Sequence, residues 1–296
     1  MAHYSKVAAD SVLVLRDAGQ VLSVTFYSGE TATDADGSVT IGIVDEAGNT
    51  VVASGTSTSK TATGIYAYTL AAQTNLKNLT ATWTGTWTTE MSFKTRHEIV
   101  GGFYTTPAEV RAMDSLAGET STFSAEDLVG SISYATKIID DYCGVSFVQK
   151  YQRDVLNGTD DDTIKVTQMF PTTLLSASID GTTLTSDEKN NVALFENGQL
   201  VRKEKIWEYN SPGNKVLVEY EYGVGTEAPE DIKWCCRVLA RYHALEQVSR
   251  IPDCAISVQS EFGNIQLAQP GMNRPTPLPD VNVILNRHRH RAPSAF

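Results

Sequence analysis

At 296 residues the chain is long for a single core, so two domains are the default expectation. No apolar run approaches the ~20 residues of a membrane span, and the N-terminus has no basic segment leading into an apolar one, so neither a membrane-crossing helix nor a cleaved secretion signal is expected. The net charge of −11 is unevenly spread: 6 Lys+Arg against 9 Asp+Glu in residues 1–98, 14 against 25 in 99–272, and 4 against 1 in 273–296. An acidic body argues against gripping nucleic acid, whose affinity comes largely from Lys and Arg at phosphates.

Residues 1–98 read as all-β. Short runs with apolar–polar alternation, Val21–Tyr27, Val39–Val44, Thr50–Val52, Ile65–Leu70, Thr80–Trp87 and Met91–Lys94, are separated by turn signals at Asp36-Gly37, Gly48-Asn49 and Thr63-Gly64. About seven strands in ~100 residues predict an immunoglobulin-like sandwich, although no cysteine is present for an inter-sheet disulfide. Trp83 and Trp87 fit its core, with exposed binding aromatics as the competing reading. Glu98 to Gly102 reads as the connection, with Gly101-Gly102 a flexible join.

Two capped helices follow. Thr106-Pro107-Ala108-Glu109 is a capping box with Pro at the first helical position, opening a helix over ~106–117. Ser124-Ala125-Glu126-Asp127 repeats the device for a helix over 124–143, in which Leu128, Ile132, Ala135, Ile139 and Tyr142 form one apolar stripe and Gly144 a left-handed end. This is a packing helix, with no residue that suggests chemistry. Residues ~164–222 return to β-hairpins, turning at Asp180-Gly181 and Asn197-Gly198 and ending in the strictly alternating Lys215–Tyr222. Pro229-Glu230-Asp231 opens a third helix to ~249, with Ile232, Cys235, Leu239 and Tyr242 on its inner stripe. Beyond Pro275, Pro277 and Pro279, Asp280 to about Arg287 forms a short helix.

No constellation for catalysis stands out. The nucleophile elbow, the phosphate loop and the zinc-binding His-Glu-x-x-His helix are absent, and Cys143, Cys235, Cys236 and Cys254 lack metal-site spacing. Asn157-Gly158-Thr159-Asp160-Asp161-Asp162 lacks the alternating acids of a calcium loop and reads as a solvated loop. His243 and Glu246 sit three apart on a helix, an ordinary surface pair. No enzyme, metal or cofactor is expected. The run Arg287-His288-Arg289-His290-Arg291 is the pointed signal. It suits nucleic acid, an acidic protein partner or an idle terminus. Five residues are too few to hold DNA at physiological salt, which favours the protein partner.

The order helix, helix, hairpins, helix carries a resemblance. Thr106-Pro107-Ala108-Glu109-Val110-Arg111, Phe123 to Leu128, Ile139-Asp140-Asp141-Tyr142-Cys143-Gly144, Phe170-Pro171 with Ile179-Asp180-Gly181, Val218-Glu219-Tyr220, Ala228 to Ile232, and the tail Leu278 to Arg289 are similar to the head–tail connector (adaptor) proteins of long-tailed bacteriophages. The resemblance covers residues 103–290. Joined to the strand pattern of the first hundred residues, it gives a multidomain chain: an Ig-like sandwich at 1–98, an α+β adaptor core of helices with inserted hairpins at 99–272, and an extended C-terminal arm at 273–296. The implied protein is a structural virion component at the head–tail interface, assembled in the host cytoplasm. It forms a homomeric ring of about twelve copies beneath the portal, matching the portal's rotational symmetry, and such a ring closes through one heterologous contact repeated around it. Its partners are the portal, the next neck or tail-completion protein, and DNA passing through the lumen unread during genome ejection. Portal binding falls to Val281, Ile284, Leu285, Arg287, Arg289 and Arg291, and core or ring packing to Leu128, Ile132, Ala135, Ile139 and Tyr142. The first hundred residues depart from the small adaptors, which have no such sandwich. The competing function is an Ig-like surface protein recognising carbohydrate or protein, which exposed tryptophans at Trp83 and Trp87 would favour.

Overall fold

The computed structural model describes residues 3–7, 13–113, 123, 125–209, 215–247, 257–260, 263–266 and 275–290, with 3–7, 125–126, 247, 257–260 and 263–266 as backbone alone. The chain divides into two compact units, residues 1–102 with 148–226, and residues 103–147 with 227–296.

The first unit begins with two five-stranded sheets. One holds β1 (His3–Val7), β3 (Gln20–Ser28), β8 (Ile65–Leu70) and β7 (Ser59–Ala62) in that order, with β4 (Thr31–Ala32) beside β3. The other runs β2 (Leu13–Leu15), β10 (Thr89–Val100), β9 (Lys77–Trp87), β5 (Thr40–Asp45) and β6 (Thr50–Ser57). Alternation points every second residue inward. Leu22, Val24 and Phe26 of β3 thus share one apolar core with Ile41, Ile43, Ala81 and Trp83 of the other sheet. Both tryptophans are core: Trp83 is fully buried and Trp87 is 3% exposed, its ring 4.7 Å from Phe26. The Trp83 indole donates to Thr95 Oγ1 at 2.9 Å, and the same hydroxyl lies 2.8 Å from buried His97.

The expected link at Glu98–Gly102 is shorter than the sequence suggests. β10 runs on to Val100 because Glu98, Ile99 and Val100 pair in parallel with Leu13, Val14 and Leu15. Nor is Gly101-Gly102 a loose join. The Gly101 N–H donates to the Gln149 carbonyl at 2.9 Å, and a Cβ at Gly102 would sit 2.7 Å from the Thr226 carbonyl oxygen. The glycines permit close backbone approach.

The same unit continues in residues 148–226. β11 (Lys150–Asn157), β17 (Lys215–Tyr222), β13 (Pro171–Ile179) and β14 (Thr182–Thr183) make one sheet, and β12 (Thr163–Lys165), β16 (Gln199–Arg202) and β15 (Val192–Leu194) another. The β13–β14 hairpin turns on Asp180 (φ 49°) and Gly181 (φ 81°), the double positive φ of a primed turn, as its sequence predicts. Helix α3 (Ser186–Asn190), which the sequence reading missed, starts on a second Thr/Glu capping box, Thr185 with Glu188. Ala177, Val216, Val218 and Tyr220 face Ile164, Leu200 and Trp207 in a second core. Tyr151 joins the sandwich cluster instead, with Leu175 packed against it. Arg16 ties the two cores further, bonding Gln149 at 2.7 Å and pairing with Glu221 at 3.5 Å.

The second unit is helical. α1 (Pro107–Arg111) has the predicted capping box at Thr106 and Glu109, but ends at Arg111 rather than near 117, and residues 114–122 lie outside those described. The cap expected at Ser124 lies outside them as well. α2 (Ala125–Cys143) buries Leu128, Ile132, Ala135 and Ile139 against α4 (Glu230–Gln247), which offers Ile232, Cys235, Cys236, Leu239 and Ala240. Gly144 closes α2 at φ 73°. Tyr242, expected on the inner stripe of α4, is 36% exposed. A two-stranded sheet, β18 (Ser257–Ser260) with β19 (Gly263–Gln266), precedes α5 (Pro279–Arg287).

Candidate assembly site

The sequence placed the candidate residues on α2 and on the C-terminal helix, and the second unit brings these together. From Pro279 onward the tail forms the short helix the sequence predicts, and this helix, α5, lies against α4 and α2. The reason is its apolar edge. Val281 and Leu285 are fully buried, Ile284 is half-buried, and Val283, which the sequence reading left out, is 56% exposed. Asn282 fastens the approach to the helix. Its amide donates to the Thr276 carbonyl at 2.8 Å and its oxygen accepts from the Thr276 hydroxyl at 2.9 Å.

Beyond α5 the chain is held by polar contacts. The Tyr142 hydroxyl donates to Asn286, and the Arg289 guanidinium lies 4.9 Å over the Tyr142 ring. The His290 N–H donates to the Cys143 carbonyl at 2.8 Å, and His288 Nε2 sits 2.6 Å from Asp231 Oδ2 at the start of α4. Burial pushes the Asp231 carboxyl up, but His288 and the Ile232 N–H outweigh it and hold the group below its ordinary value. Tyr142 therefore serves as a seat for the tail rather than as a core residue. Of the predicted basic run, Arg287 and Arg289 are exposed, and Arg291 lies outside the described residues.

The rest of the unit is built for rigidity. Tyr104 is buried, donates to Asp140 and accepts from the Phe147 N–H at 2.7 Å, which pins the entry to α1 against the end of α2. Burial pushes the thiols of Cys143, Cys235 and Cys236 up to about 12, so all three stay protonated at neutral pH and pack as small apolar groups. Cys254 lies outside the described residues. On the outer side, Tyr134 is half exposed and stacks on His243 at 4.2 Å, and His243 Nδ1 is 3.2 Å from Ser131 Oγ. Trp234 of α4 is 39% exposed.

In the first unit, the acids of the 157–162 loop accept local donors: Asp160 takes the Tyr209 N–H at 2.6 Å, Asp161 the Asp162 N–H, and Asp162 the Thr163 hydroxyl. Among the described residues no group of three or more potential ligands is gathered for a metal. A cleft of about 140 Å³ opens between Glu188, Asn191 and Arg202–Lys205, small beside the few hundred Å³ of an ordinary ligand pocket. Its charges answer one another. Lys205 lies 2.6 Å from Glu188 and, with the Thr185 backbone, holds that carboxyl down at about 2.

The head completion protein family model matches residues 104–253, a little over half of the chain, running from Tyr104 through the hairpins and α4 to six residues beyond it. The chain belongs to the head completion protein family. Membership bears out the resemblance to phage head–tail connectors and a place at the head–tail junction of the virion. Among solved structures, this head completion protein is similar to a chain in the neck of an empty gene transfer agent particle. The identity is 15% and the TM-score 0.45, over 65% of this chain and 93% of that one. A chain in the native gene transfer agent virion gives 15%, a TM-score of 0.42 and the same coverage. The Lin-41 filamin domain is 19% identical with a TM-score of 0.24, over 32% of this chain and 90% of that one. No curated protein matches.

Proposed function

We propose that this head completion protein is the adaptor between portal and tail, acting as a closed ring of about twelve copies around the DNA channel. The observation that carries the reading is the family match from Tyr104 through α4, the stretch that bears the connector-like pattern. Its work is done by surfaces, and no step of chemistry is assigned to it. An acidic body, −11 overall, repels phosphate and lets DNA pass without being held. The portal-facing element is the C-terminal helix. With α5 docked, Val283, Ile284, Arg287 and Arg289 are available to a partner, while Val281 and Leu285 become so only on release. The alternative of a surface-recognition protein loses its main support, because Trp83 and Trp87 are core residues.

Negative-stain imaging of the full chain, alone and mixed with portal, tests the proposal. Rings that cap the portal are expected. A chain that stays monomeric and ignores portal refutes it.

A further inference from the structure

Among the described residues the β18–β19 hairpin belongs to no larger sheet. Among the described residues its strands pair only with each other, Ser257 with Gln266 through Ser260 with Gly263. A lone two-stranded hairpin is at best marginally stable in water, and three or more strands or a covering element are needed to hold it. Its edges are also undefended. Exposed strand edges are ordinarily blunted by charge or by a bulge. The longer edges elsewhere in this chain are so blunted: β11 carries Lys150 and Arg153, β7 carries Lys60, and β6 is bulged about Gly55 at φ 85°, whereas β2, β14 and β15, at two or three residues, go uncharged. The eight residues of β18 and β19, Ser-Val-Gln-Ser and Gly-Asn-Ile-Gln, include no charge and no proline.

The register says which groups are on offer. A two-residue loop closes on a hydrogen-bonded pair, here Ser260 with Gly263, and such pairs alternate along an antiparallel ladder. Ser257, Gln259, Asn264 and Gln266 are then the residues whose backbone N–H and C=O face away along the two open edges.

We infer that β18–β19 closes the ring by pairing edge to edge with the same hairpin of each neighbouring copy. Direction supports this occupant. Rotation about a ring axis preserves the sense of every hairpin, so β19 of one copy meets β18 of the next running the opposite way. The sheet continues antiparallel, and on closure no edge is left. With about twelve copies, about 24 strands at ~4.8 Å spacing make a barrel about 37 Å across, and wider if the strands tilt. The inference rests on the ring reading proposed above.

Hydrogen exchange on the full chain, measured in its monomeric and ring fractions, tests it. The amides of Ser257, Gln259, Asn264 and Gln266 exchange freely in the monomer and at least about tenfold more slowly in the ring. Gln259→Pro and Asn264→Pro each remove an outward N–H without touching a bond inside the hairpin. Each lowers the ring fraction at least about tenfold while the monomer keeps its circular dichroism spectrum. Rings in which these four amides exchange as in the monomer, or that form at full yield from both proline variants, overturn the hairpin and leave the ring standing. A wild-type chain that forms no ring, alone or on portal, overturns both.

Discussion

Asp154 is the strongest test of how the first unit is held together. Its side chain is buried, the residue only 4% exposed, and it gathers four donors. The Tyr220 hydroxyl donates at 2.9 Å, the Thr167 N–H at 2.7 Å, the Thr167 hydroxyl at 2.8 Å and the Gln152 amide at 2.9 Å. Burial first, and then the neighbouring carboxylate, push the Tyr220 phenol above its ordinary value, so it remains a donor at every working pH. Asp154→Ala strands that donor in a core where Tyr220 is fully buried, while Thr167 is exposed and recovers water. One orphaned buried donor and one lost charge-assisted bond set the cost, partly offset by relief of the acid's own desolvation, at about 3 kcal/mol. For a unit of this size that is a fall of roughly 6–12 °C in melting temperature. Asp154→Asn keeps one acceptor but turns an N–H2 toward Thr167 or Tyr220, and falls between. Thermal and urea unfolding of Asp154→Ala, Tyr220→Phe and the double variant measure the coupling, expected to exceed about 1 kcal/mol for partners in one network. A loss below about 1 kcal/mol for Asp154→Ala, or additive single effects, refutes the hub.

Leu285→Ala empties a fully buried site under α5 and lowers stability by about 2–5 kcal/mol in urea unfolding, whereas Val283→Ala, on the exposed edge, stays within about 0.5 kcal/mol. Removing residues 1–98 uncovers Tyr151 and leaves Glu221 without Arg16. The shortened chain exposes roughly 2–3 kcal/mol of aromatic surface and binds an apolar dye that the full chain does not. Asp231 is held below the ordinary carboxylate value by His288, so its contribution is present above the unfolded pKa of about 4 and is lost as pH falls through the lower folded value. Melting curves of wild type and Asp231→Asn therefore differ at pH 6 and converge toward pH 3. Trp83→Phe removes the donor to Thr95 in the sandwich core and costs about 1–3 kcal/mol, read by denaturant midpoint.

What the sequence made legible was local. Capping at Thr106, the stripe from Leu128 to Ile139, the Asp180-Gly181 turn and the left-handed Gly144 are each set by residues within one turn of themselves, and each stands in the structure as read. What it hid was pairing at long range. β10 gains its last residues from β2, some eighty positions earlier, and nothing around Glu98 announces that partner. Tyr151 lies on a strand whose alternation is plain, yet which core it enters is decided by the sandwich. The Gly101-Gly102 pair looks like a hinge until the Gln149 and Thr226 backbones are seen against it. Tyr142 keeps helical phase with the buried stripe but sits at its end, where Asn286 and Arg289 arrive from residues more than 140 positions away.

The tail shows why burial and availability have to be argued together. A nine-residue helix is too short to stand alone in water, so α5 exists because something covers its apolar edge. Here the cover is α2 and α4, through Val281 and Leu285, each contributing about 1.5–3 kcal/mol, with His288, Asn286 and Arg289 adding polar contacts that tolerate exchange for water or for another protein. A partner that takes the whole helix must replace that cover, and it shifts the docked population only by its preference for the released state. A partner that reads Val283, Ile284 and Arg287 in place displaces nothing and gains from a helix already ordered. The second arrangement needs the smaller interface. It assigns Val281 and Leu285 to holding the helix in place and leaves recognition to the neighbours they present.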